Sequence, residues 1–281
     1  MRTIVHLSDL HFGRSVPGLI QPLIQSIREL RPNLVAVSGD LTQRARVSQF
    51  REAQSFLNSL PKPQVVVPGN HDLPLTNVVL RLWQPLARYK RFITADLEPV
   101  YIDTEIAVLG LNTTRRLLVK DGRVNQEQVA SIEKHFGSLP FQQIRIVVTH
   151  HPFDLPEGFD DSQLVGRSRM AIRQFAKSGV DIFLSGHLHS THAGSTERYN
   201  VAGYRALVIQ AGTATSSRVR GEPNAFNVIR IRESEMSVET HSWQSEENLF
   251  RCQQTKYFRR SAPDSNRTLD RWLEVPAIPE Q

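Results

Sequence analysis

Cysteine is nearly absent: Cys252 is the only one in 281 residues. One thiol excludes an intramolecular disulfide and fits a reducing compartment. Long apolar runs are missing too, and none approaches the roughly 20 residues that a bilayer crossing needs. The start, Met1 to His6, enters a strand pattern with no apolar leader before it. Together these absences predict a cytoplasmic protein. There is no long block of like charges, hence no basic tail. No internal repeat or low-complexity segment is visible.

What is present is ordinary for a globular chain: 40% apolar and 22% charged residues, enough for a sizeable core. The formal charge of +6 would help attract a phosphate-bearing substrate, a nucleic acid or an anionic membrane surface. It also fits a merely soluble, arginine-rich protein, and charge alone does not choose between these.

Apolar periodicity orders the first third as βαβαβ. Strand-like runs at residues 4–8, 34–38 and 64–68 alternate with helical patterns at 19–30 and 47–60, with Pro22 expected in the first helix's opening turn. A helix is expected over 80–92, then two strands over 99–103 and 106–111. Asn125, with Gln128 three residues on, predicts a capped helix start. A strand at 144–148, a helix over 163–177 ending at Gly179 and a strand at 182–184 follow. Runs at 206–210, 225–231 and 236–243 read as strands spaced by turns. From Gln244 the pattern dissolves. The expected organisation is one domain over residues 1–243, with 244–281 an arm packed on it or at a dimer contact.

The strand ends carry the chemistry. Asp9 and His11, Asp40, Asn70-His71-Asp72, His150-His151, and His187 with His189 each follow a strand-like run. In an open α/β sheet, ligands bind outside the carboxyl ends of the strands. Taken singly, an Asp-x-His is a turn, a Gly-Asp is a cap and a His-x-His lies on the surface. Five such motifs in register with the strands are a different matter. Carboxylate, imidazole and amide donors without thiolate favour Mn, Fe, Zn or Co over calcium or an iron–sulfur cluster. There are too many donors for one tetrahedral ion, and seven suit two ions that share a carboxylate. Such a pair stabilises both oxygens of an in-line displacement and lowers the pKa of bound water.

Asp9-Leu10-His11, Gly39-Asp40, Gly69-Asn70-His71-Asp72, His150-His151-Pro152 and Gly186-His187-Leu188-His189, in that order, resemble the calcineurin-like metallophosphoesterases. The resemblance spans residues 4–189. It implies a four-layer αββα sandwich, two mixed β-sheets with helices outside, in which the late strands finish the second sheet. It implies one metal on Asp9, His11, Asp40 and His189, and a second on Asp40, Asn70, His150 and His187. His151 would lie nearby without ligating, although a swap with His150 stays open. His71 would face the substrate and protonate the leaving group, with Asp72 orienting its ring and keeping it cationic. Gly69 is expected to let the backbone turn.

Within the superfamily the chain looks most like the bacterial cyclic-nucleotide phosphodiesterases and glycerophosphodiesterases. The doubled histidine, Leu111-Asn112-Thr113-Thr114 and the Asp121-Gly122-Arg123 loop carry that likeness. The implied activity is hydrolysis of a small phosphodiester. Alternatives are a DNA repair exonuclease, a UDP-diacylglucosamine pyrophosphatase acting in lipid A synthesis, and a non-catalytic scaffold. Asn112, Arg115 and His151 are candidate substrate contacts. Arg116, Arg167 and Arg169 are further candidates for phosphate, their alternative being a solvated face. Arg81, Arg88, Lys90 and Arg91 are candidates for peripheral membrane contact.

Overall fold

The computed structural model describes residues 1–156, 158–196, 204–218, 221–261, 269–270 and 272–277. In chain order the strands are β1 (Arg2–Leu7), β2 (Leu34–Ser38), β3 (Gln64–Val67), β4 (Val100–Ile102), β5 (Ile106–Gly110), β6 (Ile144–Val148), β7 (Ile182–Ser185), β8 (His192–Ser195), β9 (Tyr204–Arg205), β10 (Leu207–Gln210), β11 (Ala225–Arg232), β12 (Glu235–Gln244), β13 (Leu249–Arg260), β14 (Leu269–Asp270) and β15 (Trp272–Val275). The helices are α1 (Pro17–Glu29), α2 (Val47–Ser59), α3 (Val78–Trp83), α4 (Ala87–Phe92), α5 (Gln126–Phe136) and α6 (Ser168–Lys177).

Two sheets form the middle. The first runs β15-β13-β12-β11-β1-β2-β3, and the second β4-β5-β6-β7-β10-β8. β1, β2 and β3 are parallel, as are β5, β6, β7 and β10. Side-chain alternation along β1 explains the layering. Ile4 points into a core shared with Val65, Ile106, Ile146 and Leu184, which lies between the sheets. Val5 and Leu7 point the other way, into a core with Leu23, Ile27, Phe50 and Leu57 of α1 and α2. A third core joins the far face of the second sheet to Val129 and Ile132 of α5 and Phe175 of α6. The result is the αββα sandwich.

Asn125 Oδ1 accepts from the Gln128 amide at 2.8 Å, and Gly179 ends the turn after α6 at φ +65°, both as expected. Other expectations need correction. Pro22 lies inside α1, and Pro17 takes the first turn. The run 80–92 breaks into α3 and α4 at Gln84-Pro85, because proline disfavours helical backbone at the residue before it. Of the late strands, only β10 enters the second sheet. β11 pairs antiparallel with β1, so β11 and β12 extend the first. The residues after Gln244 include a 12-residue strand, β13, that pairs along β12 and then with β15. Residues 262–268, 271 and 278–281 of the expected arm lie outside the described residues. Among the described residues, no helix is long and apolar enough to cross a membrane.

Candidate metal centre

The first sheet delivers Asp9, His11, Asp40 and Asn70 from the ends of β1, β2 and β3. The second delivers His150, His187 and His189 from the ends of β6 and β7. The loops after β1 and β2 continue side by side: the Asp9 amide donates to Gly39 O at 3.1 Å, and that of His11 to Asp40 O at 2.9 Å. Asp9, His11, Asp40, His187 and His189 all have positive φ, from 47° to 73°. A left-handed non-glycine residue costs of order 1–3 kcal/mol. Among the described residues, five of the ten non-glycine residues with positive φ sit in this one cluster, where their side chains gather.

The donor atoms form two groups that meet at Asp40. In the first, Asp9 Oδ1 lies 3.4 Å from His11 Nε2 and 3.2 Å from His189 Nε2. Those two nitrogens are 3.4 Å apart. Asp9 is fully buried, and its Oδ1 has no hydrogen-bond partner. Its Oδ2 is engaged by the Ser8 hydroxyl at 2.6 Å and the His187 amide at 3.0 Å. A buried anionic oxygen facing two imidazoles has the chemistry to hold a cation. In the second group His150 Nε2 lies 3.1 Å from Asn70 Oδ1 and 3.4 Å from Asp40 Oδ2. Asp40 Oδ2 is also 3.8 Å from His11 Nε2, so one carboxylate oxygen faces both groups. The His187 ring stands against His150 with centroids 5.1 Å apart.

Outer contacts orient the rings. His150 Nδ1 donates to Ser38 O at 2.8 Å, and His189 Nδ1 to Arg218 O at 2.9 Å, which turns each Nε2 inward. His151 is placed differently. Its Nε2 meets Lys120 O at 2.9 Å and its Nδ1 the Thr113 hydroxyl at 2.7 Å, so both nitrogens have partners within the protein. Charge is balanced within the cluster. Burial alone would raise Asp40, yet His150 and the neighbouring histidines hold it well below the carboxylate range. Burial likewise opposes a charge on His150, but the Asp40 carboxylate raises it to about 9. Burial and the nearby His150 push His187 down to about 3.

His71 faces the cavity beside these donors. Its Nδ1 donates to Gln43 O at 2.9 Å, and its Nε2 accepts from Arg218 Nη1 at 3.0 Å. Burial lowers its pKa, so the expected cationic ring is not what the structure favours. Asp72 does not orient that ring. Its carboxylate accepts from the amides of Leu41, Thr42 and Gly69 and from the Thr42 hydroxyl, at 2.9–3.2 Å. Asp72 therefore ties the loop after β3 to the loop after β2, and Gln43 holds His71. Gly69 serves close approach, not turning: its φ is −106°, and a Cβ there would fall on Asp40.

The cavity holds about 200 Å³. Among its lining residues are Gln43, Arg44, Lys120 and Arg218, none of which the motif reading picked out. Arg218 has no motif around it, and only its spatial approach to His71 reveals it. The arginine expected at the substrate, Arg115, instead donates to the carbonyls of Asn112 and Thr114 and to Gln128 Oε1, bracing the cap of α5. Asn112 turns its Oδ1 onto Thr114. Arg116 donates to Leu82 O. Arg81 and Arg88 are likewise spent on backbone carbonyls.

The family model of the calcineurin-like phosphoesterases matches residues 2–191. The chain belongs to that family. This calcineurin-like phosphoesterase is 23% identical over 222 residues to a probable glycerophosphodiester phosphodiesterase, GpdQ, of Arcobacter nitrofigilis, covering 78% of this chain and 76% of the relative. It is 24% identical over 242 residues to a probable cyclic nucleotide phosphodiesterase of Xenorhabdus bovienii, covering 80% and 94%. Its fold resembles that of the purple acid phosphatase PPD1 from yellow lupin seeds, with a TM-score of 0.67 and 16% identity over 89% of this chain and 52% of that one. The protein is a phosphoester hydrolase of a family that uses divalent metals, and its buried Asp and His side chains form groups able to hold them.

Proposed function

We propose that the protein hydrolyses small phosphodiesters with two metal ions, one on Asp9, His11, Asp40 and His189 and the other on Asp40, Asn70, His150 and His187. The observation that carries this reading is the position of Asp40 Oδ2, which faces His11 Nε2 and His150 Nε2 from between the two donor groups. Two divalent ions held by these residues would lower the pKa of water and neutralise phosphoryl oxygen charge. The names of the relatives support a diester substrate, and a cavity of about 200 Å³ supports a small one.

The chain's own residues do the rest. Arg218 lies at the cavity wall with its guanidinium on His71 Nε2. An arriving phosphoryl group takes over that guanidinium, whose planar fork matches phosphate oxygens. The same negative charge favours a proton on the freed His71 Nε2, while Gln43 O keeps the ring aimed through Nδ1. As water adds to phosphorus and the bond to the leaving oxygen breaks, Nε2 gives that oxygen its proton. His151 keeps Lys120 and Thr113 in place and takes no part in the transfer.

The test compares two variants by metal content and turnover of bis-p-nitrophenyl phosphate. His71→Ala should retain both metals and lose about 10²–10⁴ in kcat, the range of a lost general acid. Asp40→Ala should lose metal as well as activity. Equal metal loss in both variants would remove the distinction on which the assignment rests. Faster hydrolysis of p-nitrophenyl phosphate than of the diester would refute the diesterase reading.

A further inference from the structure

α3 is built inside out. Its arginine, Arg81, is 7% exposed, while Val78, Val79 and Trp83 are 61%, 71% and 83% exposed. Surface helices bury an apolar stripe and show their charges to water. Here the Arg81 guanidinium is the anchor, donating to Pro74 O, Arg116 O and Leu118 O. Arg116 returns a bond to Leu82 O at 2.9 Å. These contacts clamp α3 against the segment 115–118 and leave an apolar face outward. Leu117, 75% exposed, belongs to that segment, and Val119, 57% exposed, follows it directly. Single exposed apolar residues are ordinary, but a contiguous set of this kind marks an interaction surface.

The face is continuous with the metal centre. Val119 and the exposed Leu75 line the cavity together with Asp40, Asn70 and His71. Cations stand at the same mouth: Arg44, Lys120 and Arg218. An apolar collar outside, a ring of cations within it and a phosphoester site at the bottom follow the profile of a lipid from chain to headgroup. Trp83 suits this arrangement, since tryptophan favours the water–hydrocarbon boundary. A second copy seated on the same face would cover the mouth through which substrate enters.

We infer that α3 and the 115–119 loop dock the protein on an anionic lipid surface and bring phosphoesters displayed there to the cavity. The docking face is this apolar collar and not Arg81 or Arg88, whose guanidinium groups are bound to backbone carbonyls. What is hydrolysed rests on the diesterase reading; the docking itself does not, and the two are measured separately.

The test uses the full chain with vesicles of phosphatidylcholine, with and without phosphatidylglycerol. The wild type should sediment with the anionic vesicles, with a blue shift of Trp83 emission, and less with the neutral ones. The triple variant Val79→Ser, Trp83→Ser, Leu117→Ser should partition about a hundredfold more weakly, because three exposed apolar side chains lose their burial. Its hydrolysis of bis-p-nitrophenyl phosphate without vesicles should stay within about twofold of wild type, given that none of the three lines the cavity. Failure of the wild type to bind either vesicle, or equal binding by the variant, would overturn the inference. So would a concentration-dependent dimer lost in the variant, which would assign the face to a second copy. Vesicle binding without diesterase activity would instead overturn the diesterase reading alone.

Discussion

Asp72 is fully surrounded by donors. The amides of Leu41, Thr42 and Gly69 and the hydroxyl of Thr42 occupy both of its oxygens, although burial and the nearby Asp40 push its pKa up to about 6. Removing it strands four buried donors, each worth about 1–3 kcal/mol when unsatisfied. Asp72→Ala should therefore lower stability by about 3 kcal/mol or more, read from urea unfolding. It should also weaken metal retention, because Asn70 rides on the same loop. A purely slow enzyme with wild-type unfolding would show that Asp72 serves the chemistry directly. His71 and Asp72 are neighbours in sequence with separate duties: one faces the cavity, the other faces the backbone.

At the scale of elements, the turn joining β4 to β5 is built on Asp103. Its Oδ1 accepts from the Glu105 and Ile106 amides at 2.8 and 2.9 Å, and its Oδ2 from Tyr101 and Arg2 at 2.9 and 2.7 Å. Burial opposes the charge, but these donors hold the carboxyl below its ordinary value. A depressed native pKa contributes stability above the unfolded pKa, about 3.9 for Asp, and loses it as pH falls through the native value. Asp103→Ala should cost about 1–2 kcal/mol at neutral pH, and the gap to wild type should close in acid. A gap that does not change with pH would exclude an ionised role. β13 carries a heavier contribution: Phe258 is buried in the core between the sheets, with Ile4, Val65 and Trp272. Phe258→Ala should destabilise by about 3–5 kcal/mol, seen as a lower denaturation midpoint. That strand escaped the sequence reading because its exposed residues outnumber its buried ones, which leaves little apolar alternation to find.

The molecule as a whole is two sheets sharing one core and one polar seam. Asp9, His11, Asp40 and Asn70 come from the first sheet, and His150, His187 and His189 from the second. Metals held between them would cross-link the layers as well as serving the proposed reaction. Chelation should lower the thermal midpoint, since a ligand that binds only the native state stabilises by about 2.7 kcal/mol at a hundredfold excess over its Kd. Readdition of Mn or Zn should restore it. Identical melting curves before and after chelation would mean that the sheets gain nothing from the ions.

That the motif residues gather at one edge was legible from residues alone because each motif sits at a strand end, and parallel strands bring their carboxyl ends to one edge whatever their detailed packing. Strand periodicity and the cap at Asn125 were legible for the same reason: both depend on near neighbours. Assignment of β11 and β12 to the first sheet was not, since pairing partners far apart in sequence are chosen by which faces remain to be buried. Nor were the partners of long polar side chains. Arg115 and Arg81 looked available and are taken by carbonyls, while Arg218, more than two hundred residues from His11, comes to the cavity. Only the folded chain decides which donor reaches which acceptor, because an unpaired buried carbonyl costs more than a solvated arginine loses by turning inward.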